Sequence, residues 1–438
     1  MTPAARTEAA IYLLGKIADE RRPADDIVRA WFQARRFVGS KDRRAIRERV
    51  YGVLRSLMRL DWHLENVNAD TSARNRVLAA VILDGKDADT HFDGAKHSPA
   101  PLTDDERAIA DRLSGTSLDD PAQPDHVRAE LPDWLADKLK PVYGAAFLDE
   151  AQALNAPAPM DLRVALGRVS REQALQALTK DGVKTTPTPL SPLGLRLEAH
   201  TDIGRTTAFR KGFVEVQDEG SQLLSLLVGA KAHMDVLDYC AGAGGKTLAI
   251  ADRMGLTDGA STGTLAAADV DAKRLARMDQ RLKRAKLTGK IERVTLDGSE
   301  NLRTYDRVLV DAPCSGSGTW RRHPEQKKRL TPERLNELMS IQDEVLSKTA
   351  TLVKPAGPDV PGGRLIYATC SLLKEENEDR VDAFLKAHPD FRRVPIGQAW
   401  NETLKKVPCP EMHTEDLRLT PAQHGTDGFF VCIMERIN

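Results

Sequence analysis

Cysteine is scarce in this sequence, and long apolar runs are missing from it. Its 438 residues include five cysteines, too few and too scattered for a secreted disulfide framework. None of them belongs to a Cys-x-x-Cys pair, so we expect no zinc or other metal site. No apolar run approaches the roughly 18 residues that span a bilayer, and the N-terminal segment lacks the layout of a signal peptide. These absences predict a cytoplasmic protein with reduced thiols and no membrane partner.

Net charge is also lacking, because the 64 basic and 64 acidic side chains cancel. A nucleic-acid partner must therefore be argued from local charge. Between Arg21 and Arg59, 12 Lys or Arg residues accompany only four acids. Such a run is typical of a solvated helix face, and it also suits contact with RNA phosphates. Residues 84–125 reverse the balance, with 11 acids and four bases, which indicates a linker or a partly disordered insertion.

Apolar periodicity predicts an all-helical domain over residues 1–85, followed by the acidic linker at 86–126. One helix is predicted to begin at an N-cap, Ser40. Its apolar face recurs at helical spacing and consists of Ile46, Val50, Val53, Leu54 and Leu57.

Residues 127–215 are predicted to form a small α/β module. Residues 160–166 alternate like a strand, 170–182 read as a helix capped by Ser170, and 188–199 follow as a strand bounded by prolines. Four basic residues nearby suit a surface that faces RNA: Arg163, Arg168, Arg171 and Lys180. A packing module without RNA contact explains the same pattern equally well.

Residues 216–438 alternate between strands and helices, which is the pattern of a doubly wound parallel sheet. Strands are predicted at 234–240, 264–269, 307–314 and 364–371, with an antiparallel last strand at 429–435. The predicted fold class is therefore α/β, with a Rossmann-like domain preceded by the helical domain and the small module.

The first of these strands runs into a glycine-rich turn that opens a helix. Glycines let a backbone pass close to a ligand, and a helix N-terminus supplies N–H donors. The spacing is not that of a Walker P-loop, and both dinucleotide and S-adenosylmethionine binders use such a turn. We assign the whole turn to cofactor binding: Cys240, Ala241, Gly242, Ala243, Gly244, Gly245 and Lys246.

Acids at three strand ends narrow the choice of cofactor. Asp238 ends the first strand, and Asp269 ends the second, where an acid can accept hydrogen bonds from ribose hydroxyls. Asp297 ends a third strand and is predicted to meet an adenine amino group. Three carboxylates favour a neutral or cationic nucleoside over a phosphate-rich one. S-adenosylmethionine carries a sulfonium and no phosphate, so it fits better than NAD.

Two cysteines follow neighbouring predicted strands. Cys314 ends the run Asp-Ala-Pro-Cys that begins at Asp311, and Cys370 lies in Ala-Thr-Cys-Ser. In an open α/β sheet the carboxyl ends of the strands border the ligand crevice. One buried cysteine is usually a small apolar residue, but two at strand ends beside a cofactor turn indicate chemistry. The remaining three are expected to pack or to lie in loops: Cys240, Cys409 and Cys432.

Several stretches, in order, carry a family resemblance: DYCAGAGGKT, ADVDAKRL, DAPCSGSGTWRRHPE, ATCSLLKEENE and HGTDGFF. From about Val216 onward the chain resembles the Nol/Nop/Sun family of RNA cytosine-5 methyltransferases, and VEVQDEGSQL is similar to the start of that family's catalytic domain. The helical domain resembles the NusB-like domain of the bacterial small-subunit rRNA members. The cofactor turn departs from the more common Cys-Ala-Ala-Pro-Gly-Gly-Lys at Gly242 and Ala243, which makes it less rigid and removes no contacting side chain.

The resemblance implies a mechanism and its residues. Cys370 would be the nucleophile that adds to C6 of cytosine and so activates C5, and Cys314 would assist breakdown of the covalent intermediate. We expect Asp311 to contact the cytosine N3/N4 edge and to border the cofactor. Lys246 is expected to orient Asp311 or to lower a thiol pKa. Arg274, in ADVDAKRL, is assigned with Asp311 to the cofactor site.

The implied partner is RNA, by resemblance small-subunit rRNA, whose target cytosine must be unpaired or flipped out. We expect it to bind through residues 21–59 and 320–329. The second segment offers a stacking ring and several cations directly after the Cys314 loop, although a basic solvated loop explains it too. Its members are Trp320, Arg321, Arg322, His323, Lys327, Lys328 and Arg329. We expect the protein to be a monomer.

Other interpretations stay open at this point. A tRNA cytosine-5 methyltransferase would use the same residues. A DNA cytosine-5 methyltransferase would use the Pro-Cys thiol as nucleophile and leave the Thr-Cys element unexplained. Adenine and protein-glutamine methyltransferases carry Asn/Asp-Pro-Pro-Tyr where this chain has Asp-Ala-Pro-Cys. A non-catalytic RNA-binding assembly factor of NusB type would not need Asp311, Cys314 and Cys370.

Overall fold

The computed structural model describes residues 1–199 and 201–438, which form two compact units. The helical unit comprises Met1–Pro157 and Trp320–Thr331, and the α/β unit comprises Ala158–Thr319 and Pro332–Asn438. The predicted fold class is confirmed. Within the described ranges, no helix combines the length and apolarity needed to cross a membrane.

The helices of the helical unit bury their apolar faces in one core. Numbered along the whole chain, they are α1 (Pro3–Asp19), α2 (Ala24–Ala34), α3 (Ser40–Arg55), α4 (Leu57–Asn66), α5 (Ala73–Leu83), α6 (Asp104–Leu113), α7 (Asp125–Arg128), α8 (Asp133–Tyr143), α9 (Phe147–Asn155) and α16 (Gln326–Arg329).

The helix predicted after Ser40 is present as α3. Gly39 rather than Ser40 is its N-cap. Its buried face is the predicted one, with Ile46, Val50, Val53 and Leu54. Leu57 was predicted to extend that face, but it begins α4 instead, because the chain breaks its helical path at Ser56.

Residues 86–126, predicted to be a linker, fold as part of the helical unit. α6 starts with a capping box in which Thr103 and Glu106 each accept from the other's backbone N–H. Phe92, Leu102 and Leu113 are buried in the shared core. The prediction of a linker followed from the many acids of this segment, because its buried apolar residues are few and widely spaced in the sequence. The helical unit runs to residue 157, beyond the predicted boundaries at 85 and 126.

The segment 320–331 also belongs to the helical unit. RNA binding through its exposed Lys328 stays a prediction, but Trp320 and Lys327 are buried and do not fit the predicted contact. Trp320 is fully buried and cannot stack on a base. Lys327 is buried near the Glu130 carboxylate, and burial lowers the pKa of Lys327 to about 8. Arg329 donates to the carbonyl oxygen of Ile17 at the end of α1. Buried carboxylates and free helix-end carbonyls need such cations, and a sequence does not distinguish them from a solvated basic loop.

A small antiparallel sheet opens the α/β unit, in the order β2-β3-β1-β4. Its elements are β1 (Asp161–Val164), α10 (Arg171–Lys180), β2 (Thr185–Pro187), β3 (Gly194–Leu197), α11 (Thr207–Arg210) and β4 (Val214–Val216). The predicted helix with its Ser170 cap is confirmed. The predicted strand 188–199 shortens to β3, and β2 was missed. Arg163 is buried and donates to Gln217 Oε1, so it does not face RNA.

The large sheet has the order β10-β12-β9-β8-β5-β6-β7, with β11 pairing β12. Its strands are β5 (Val236–Asp238), β6 (Leu265–Asp269), β7 (Glu292–Thr295), β8 (Arg307–Asp311), β9 (Arg364–Thr369), β10 (Phe391–Arg393), β11 (Leu417–Leu419) and β12 (Phe429–Arg436). β5 to β9 are parallel, and β12 pairs antiparallel with β9, as predicted for the last strand. The strand order reverses beside β5, which is where such sheets bind ligands.

Helices cover both faces of this sheet. They are α12 (Glu219–Leu227), α13 (Gly245–Arg253), α14 (Ala272–Ala276), α15 (Met278–Ala285), α17 (Pro332–Ala350), α18 (Glu378–Ala387), α19 (Ile396–Thr403) and α20 (Pro421–His424). Alternate strand residues enter two separate cores: Leu309 joins one, while Val308 and Val310 join the other. Double-sided burial holds the strand ends in place.

Candidate active site

The two cysteines singled out in the sequence meet at adjacent strand ends. β8 and β9 are parallel neighbours, with Asp311 opposite Ala368. Their loops bring the Sγ atoms of Cys314 and Cys370 to 3.4 Å from each other. Gly318 N donates to the Cys370 carbonyl oxygen over 2.8 Å, which fixes one loop against the other. Both cysteines are partly exposed residues.

An ion pair stands beside the thiols. Lys246, in the first turn of α13, donates from Nζ to Oδ2 of Asp311 over 2.7 Å. Burial alone lowers the pKa of Lys246, but the Asp311 carboxylate outweighs burial and raises that pKa overall. The lysine therefore stays charged. Cys370 lies within its electrostatic reach.

A fully buried carboxylate, Glu376, ties the two cysteine loops together. It accepts from Ser315 N over 2.8 Å and Ser315 Oγ over 2.5 Å in one loop, and from Ser371 Oγ over 2.5 Å in the other. Gln342 Nε2, from α17, donates to Glu376 over 3.0 Å and to the Pro313 carbonyl over 2.9 Å. The loops are thus held by one buried hydrogen-bond network.

The network also acts on the chemistry of Cys314. Its hydrogen bond with Cys370, its burial and the negative charge of Glu376 all raise the pKa of the Cys314 thiol. Cys314 is therefore a neutral thiol at pH 7.

A cavity of ≈ 350 Å³ opens beside these groups at the end of β5. Most of the predicted cofactor residues line it: Cys240, Ala241, Gly242, Ala243, Gly245, Lys246, Arg274 and Asp311. Gly244 lies on the far side of the turn with φ +82°, where a Cβ would come within 2.5 Å of Met278 Cγ. Only glycine fits that position without displacing α15.

Asp238, at the end of β5, presents an unpaired oxygen in this cavity. Its Oδ2 accepts from Thr247 Oγ1 over 2.6 Å, while its buried Oδ1 has no hydrogen-bond partner in the described part of the chain. Burial raises the pKa of Asp238 to about 7. A buried acceptor without a partner suits a donor or a positive centre on a ligand. The cavity therefore fits S-adenosylmethionine, whose ammonium and sulfonium groups are both positive.

Asp269 lies behind the glycine turn rather than on the cavity wall. Its two oxygens accept from Gly242 N over 2.8 Å and from Asp271 N over 2.9 Å. Arg274 approaches it to 3.5 Å. Asp269 therefore fixes the turn, and its contact with ribose stays a prediction.

Asp297 is not brought together with the other site residues. It is exposed in the turn after β7, where it accepts from N and Oγ of Ser299, and these bonds lower its pKa. The sequence predicts that Asp297 ends a strand, whereas β7 ends at Thr295 and Asp297 lies in the turn that follows. A position near a strand end does not fix the direction of the side chain, which decides whether it reaches the cavity.

Of the other three cysteines, Cys240 lines the cavity and Cys432 is hydrogen-bonded to Asp416. Burial and the charge of Asp311 raise the pKa of the Cys240 thiol, so it stays neutral on the cavity wall. Cys432 is buried in β12, and Cys409 is partly buried in a loop.

Sequence reasoning missed several residues of the site. Gln217, Asp218 and Ser221 line the cavity and come from VEVQDEGSQL, a stretch noted only for its resemblance. Arg281 also lines it and donates to the Ala243 carbonyl over 3.0 Å. Glu376 lies in ATCSLLKEENE among other acids, and no pattern separates the one that is buried.

Comparison with known proteins agrees with this geometry. A family model described as 16S rRNA methyltransferase RsmB/F matches residues 225–435, which include the glycine turn, both cysteines and Glu376. A second, described as Methyltr_RsmF/B-like, ferredoxin-like domain, matches residues 131–204.

Similar proteins extend over nearly the whole chain. Ribosomal RNA small subunit methyltransferase B of Erwinia tasmaniensis is 28% identical over 95% of both chains. That of Sodalis glossinidius is 30% identical over 85% of this chain and 88% of its own. The solved structure of PH0851 is 25% identical, with a TM-score of 0.77 over 100% of this chain and 99% of that one. The chain belongs to the RsmB/F family and is an S-adenosylmethionine-dependent RNA methyltransferase.

Proposed function

We propose that the protein transfers a methyl group to C5 of a cytosine in small-subunit rRNA, through a covalent bond between Cys370 and C6. One observation carries this proposal: two thiols 3.4 Å apart at adjacent strand ends, beside a cofactor cavity. The names of the relatives from Erwinia and Sodalis support the class of RNA. The reaction takes place in the cytoplasm.

Cytosine C5 is too weak a nucleophile to take a methyl group unaided. When the Cys370 thiolate adds to C6, the electron pair of the C5–C6 double bond becomes available at C5. S-adenosylmethionine, when bound, supplies the methyl group on a positive sulfur. The Lys246 ammonium lies within electrostatic reach of Cys370 and faces the negative charge of the attacking sulfur. Asp311, held by Lys246, meets the N3/N4 edge of the base, where its carboxylate accepts a hydrogen bond from the N4 amino group.

The adduct must then break down. The C5 proton passes to water, its electron pair restores the C5–C6 double bond, and the C6–S bond breaks to return Cys370 as a thiolate. Cys314 is a neutral thiol 3.4 Å away, so it can donate a hydrogen bond to the departing sulfur.

We place the RNA contact of the helical unit on the basic surface between Arg21 and Arg59. The exposed cations there are Arg21, Arg22, Arg29, Arg36, Lys41, Arg44 and Arg47. Arg36 and Lys41 form no ion pair with any residue that the structure describes. Phe37 lies between them in sequence and is 82% exposed, which offers a stacking face for a base.

Covalent trapping tests the nucleophile. The wild type is expected to form a complex with 5-fluorocytidine RNA that survives a denaturing gel, and Cys370→Ala is expected to form none. Cys409→Ser is the matched control, because it removes a thiol that lies outside the cavity. An adduct on Cys370→Ala would assign the nucleophile to Cys314.

Bisulfite sequencing of total RNA tests the substrate. A cytosine of small-subunit rRNA should resist conversion in the wild-type strain and convert when the gene is deleted. A protected cytosine found only in tRNA would overturn the proposed substrate, and no protected cytosine in any RNA would overturn the reaction.

A further inference from the structure

A second cavity, of ≈ 530 Å³, lies at the amino ends of the central strands β8 and β9, whereas the active site lies beyond their carboxyl ends. Arg307 is the first residue of β8 and Arg364 the first of β9, and the two stand opposite each other in the parallel register. Cys314 and Cys370 follow the other ends of these strands. The length of the strands, about 15 Å, separates this cavity from the active site.

Positive charge dominates the walls of this cavity. Lys231, Arg253 and Lys405 are exposed on its rim, and none of them forms an ion pair within the described ranges. Glu402 is the single acid that lines the cavity in the part of the chain that the structure describes. Arg364 already engages it with two bonds, of 2.6 and 3.2 Å.

Of the two arginines at the base of the cavity, Arg307 has unused hydrogen-bonding capacity, whereas both terminal nitrogens of Arg364 are bound to Glu402. Arg307 donates from one terminal nitrogen to the Asp306 carbonyl over 2.7 Å, and its Nε has no hydrogen-bond partner among the described residues. Arg364 Nε also has none, with Glu435 at 3.8 Å. Burial and the neighbouring charge of Arg364 lower the pKa of Arg307 to about 10. Like charges gathered around a cavity are stabilised when an anion binds between them.

We propose that this cavity binds a phosphate group, held by Arg307 and by the rim cations Lys231, Arg253 and Lys405. The planar guanidinium donates in parallel to two phosphate oxygens, which makes arginine suited to phosphate. A phosphodiester of RNA and a free phosphate-bearing small molecule share this chemistry. Methyl transfer does not require this site, so the inference goes beyond the proposed reaction.

Thermal unfolding of the full chain tests the site with inorganic phosphate as the probe. Sodium phosphate is expected to raise the Tm of the wild type by about 2 °C or more over sodium chloride of equal ionic strength. Arg307→Gln should lose this rise, and Lys283→Gln, an exposed lysine outside the cavity, should keep it. No phosphate-dependent rise in the wild type, or an equal rise in Arg307→Gln, would overturn the proposal.

Because Arg307→Gln could lose the phosphate effect through a folding defect, a second variant changes only surface residues. The double variant Arg253→Gln/Lys405→Gln changes only exposed rim residues and should reduce the phosphate-dependent rise. An unchanged rise in this variant would place the phosphate elsewhere and overturn the site.

RNA binding by the same double variant identifies the source of the phosphate. A lower affinity for the RNA substrate, with a shallower salt dependence, would assign the site to an RNA phosphodiester. An unchanged RNA affinity together with a reduced phosphate effect would assign it to a small molecule. The phosphate measurement contains neither RNA nor cofactor, so its failure is distinguishable from failure of the methyl-transfer proposal.

Discussion

The loops after β8 and β9 each present a cysteine to the same space, yet their charged surroundings have opposite sign. Cys370 lies within reach of the Lys246 ammonium. Cys314 lies beside Glu376, a buried carboxylate that forms no ion pair with any described residue. The two sulfur atoms are 3.4 Å apart.

This contrast shows how two identical side chains at neighbouring strand ends can face opposite charges. A nearby cation favours a thiolate, and a nearby anion favours a neutral thiol. The proposed reaction needs a thiolate to attack C6 and a neutral donor to assist its departure. The family resemblance and the charges around each sulfur therefore point independently to the same division of roles.

Among the changes to the two cysteine environments, removal of Cys314 should have the largest effect on turnover. Cys314→Ala is expected to lower turnover by about 100-fold or more, because the adduct forms but does not break down. Protein–RNA complex should accumulate on a denaturing gel, while a single round of methyl transfer persists. Loss of turnover without any accumulated complex would contradict the role given to Cys314.

Removing the positive charge beside Cys370 should have the next largest effect. Lys246→Gln is expected to slow adduct formation by roughly 10- to 100-fold, since the thiolate loses its neighbouring cation and Asp311 loses its partner. The pH profile of adduct formation should move to higher pH, because the cation that faces the attacking sulfur anion is gone. Lys246→Arg keeps the charge and should restore part of the rate.

The affinity of Lys246→Gln for S-adenosylmethionine must also be measured by calorimetry, because Lys246 lines the cofactor cavity. An adduct pH profile that stays at its wild-type position, at saturating cofactor, would show that Lys246 does not act on Cys370.

Neutralising Glu376 tests whether its negative charge acts on Cys314, as the charge of Lys246 is expected to act on Cys370. In Glu376→Gln the pKa of Cys314 should fall, so alkylation of this thiol by iodoacetamide should begin about one pH unit lower. Mass spectrometry of each cysteine peptide measures the shift. Glu344→Gln, on the exposed face of α17, is the matched control. An unchanged labelling profile would show that Glu376 does not control the pKa of Cys314.

The smallest effect is expected from a change of pH at Asp238, which lines the cofactor cavity together with the Lys246–Asp311 ion pair. The pKa of this carboxyl is raised to about 7, so its ionised fraction grows between pH 6 and pH 8. Affinity for S-adenosylmethionine should therefore rise with pH by less than about tenfold. Calorimetry across this range measures the rise, and Asp238→Asn should bind weakly with no such dependence. A rise of equal size in Asp238→Asn would contradict the prediction.

The sequence was most informative where local patterns decide the structure. Strands such as β8 and β9 follow from short apolar runs, and their parallel pairing places Cys314 and Cys370 at one edge of the sheet. The glycine turn follows from the strand and helix on either side of it. These features depend on residues that are close together in sequence.

The rest depends on partners far apart in sequence. Lys327 is buried because Glu130 lies nearby, almost two hundred positions away, and a basic run carries no mark of this. Glu376 differs from Glu375 only in the loops that meet around it. Asp297 shows the same limit, because a position near a strand end does not fix the direction of a side chain.

The assignment of Trp320–Thr331 to the helical unit means that the two units are interleaved along the chain. A fragment beginning at Ala158 would carry the Trp320 ring and the Lys327 amine without the residues that bury them. A fragment ending at Pro157 would leave the end of α1 without the donors of Arg329. Chimeras with a relative should therefore exchange residues 1–157 and 320–331 together, because each segment supplies partners that the other needs.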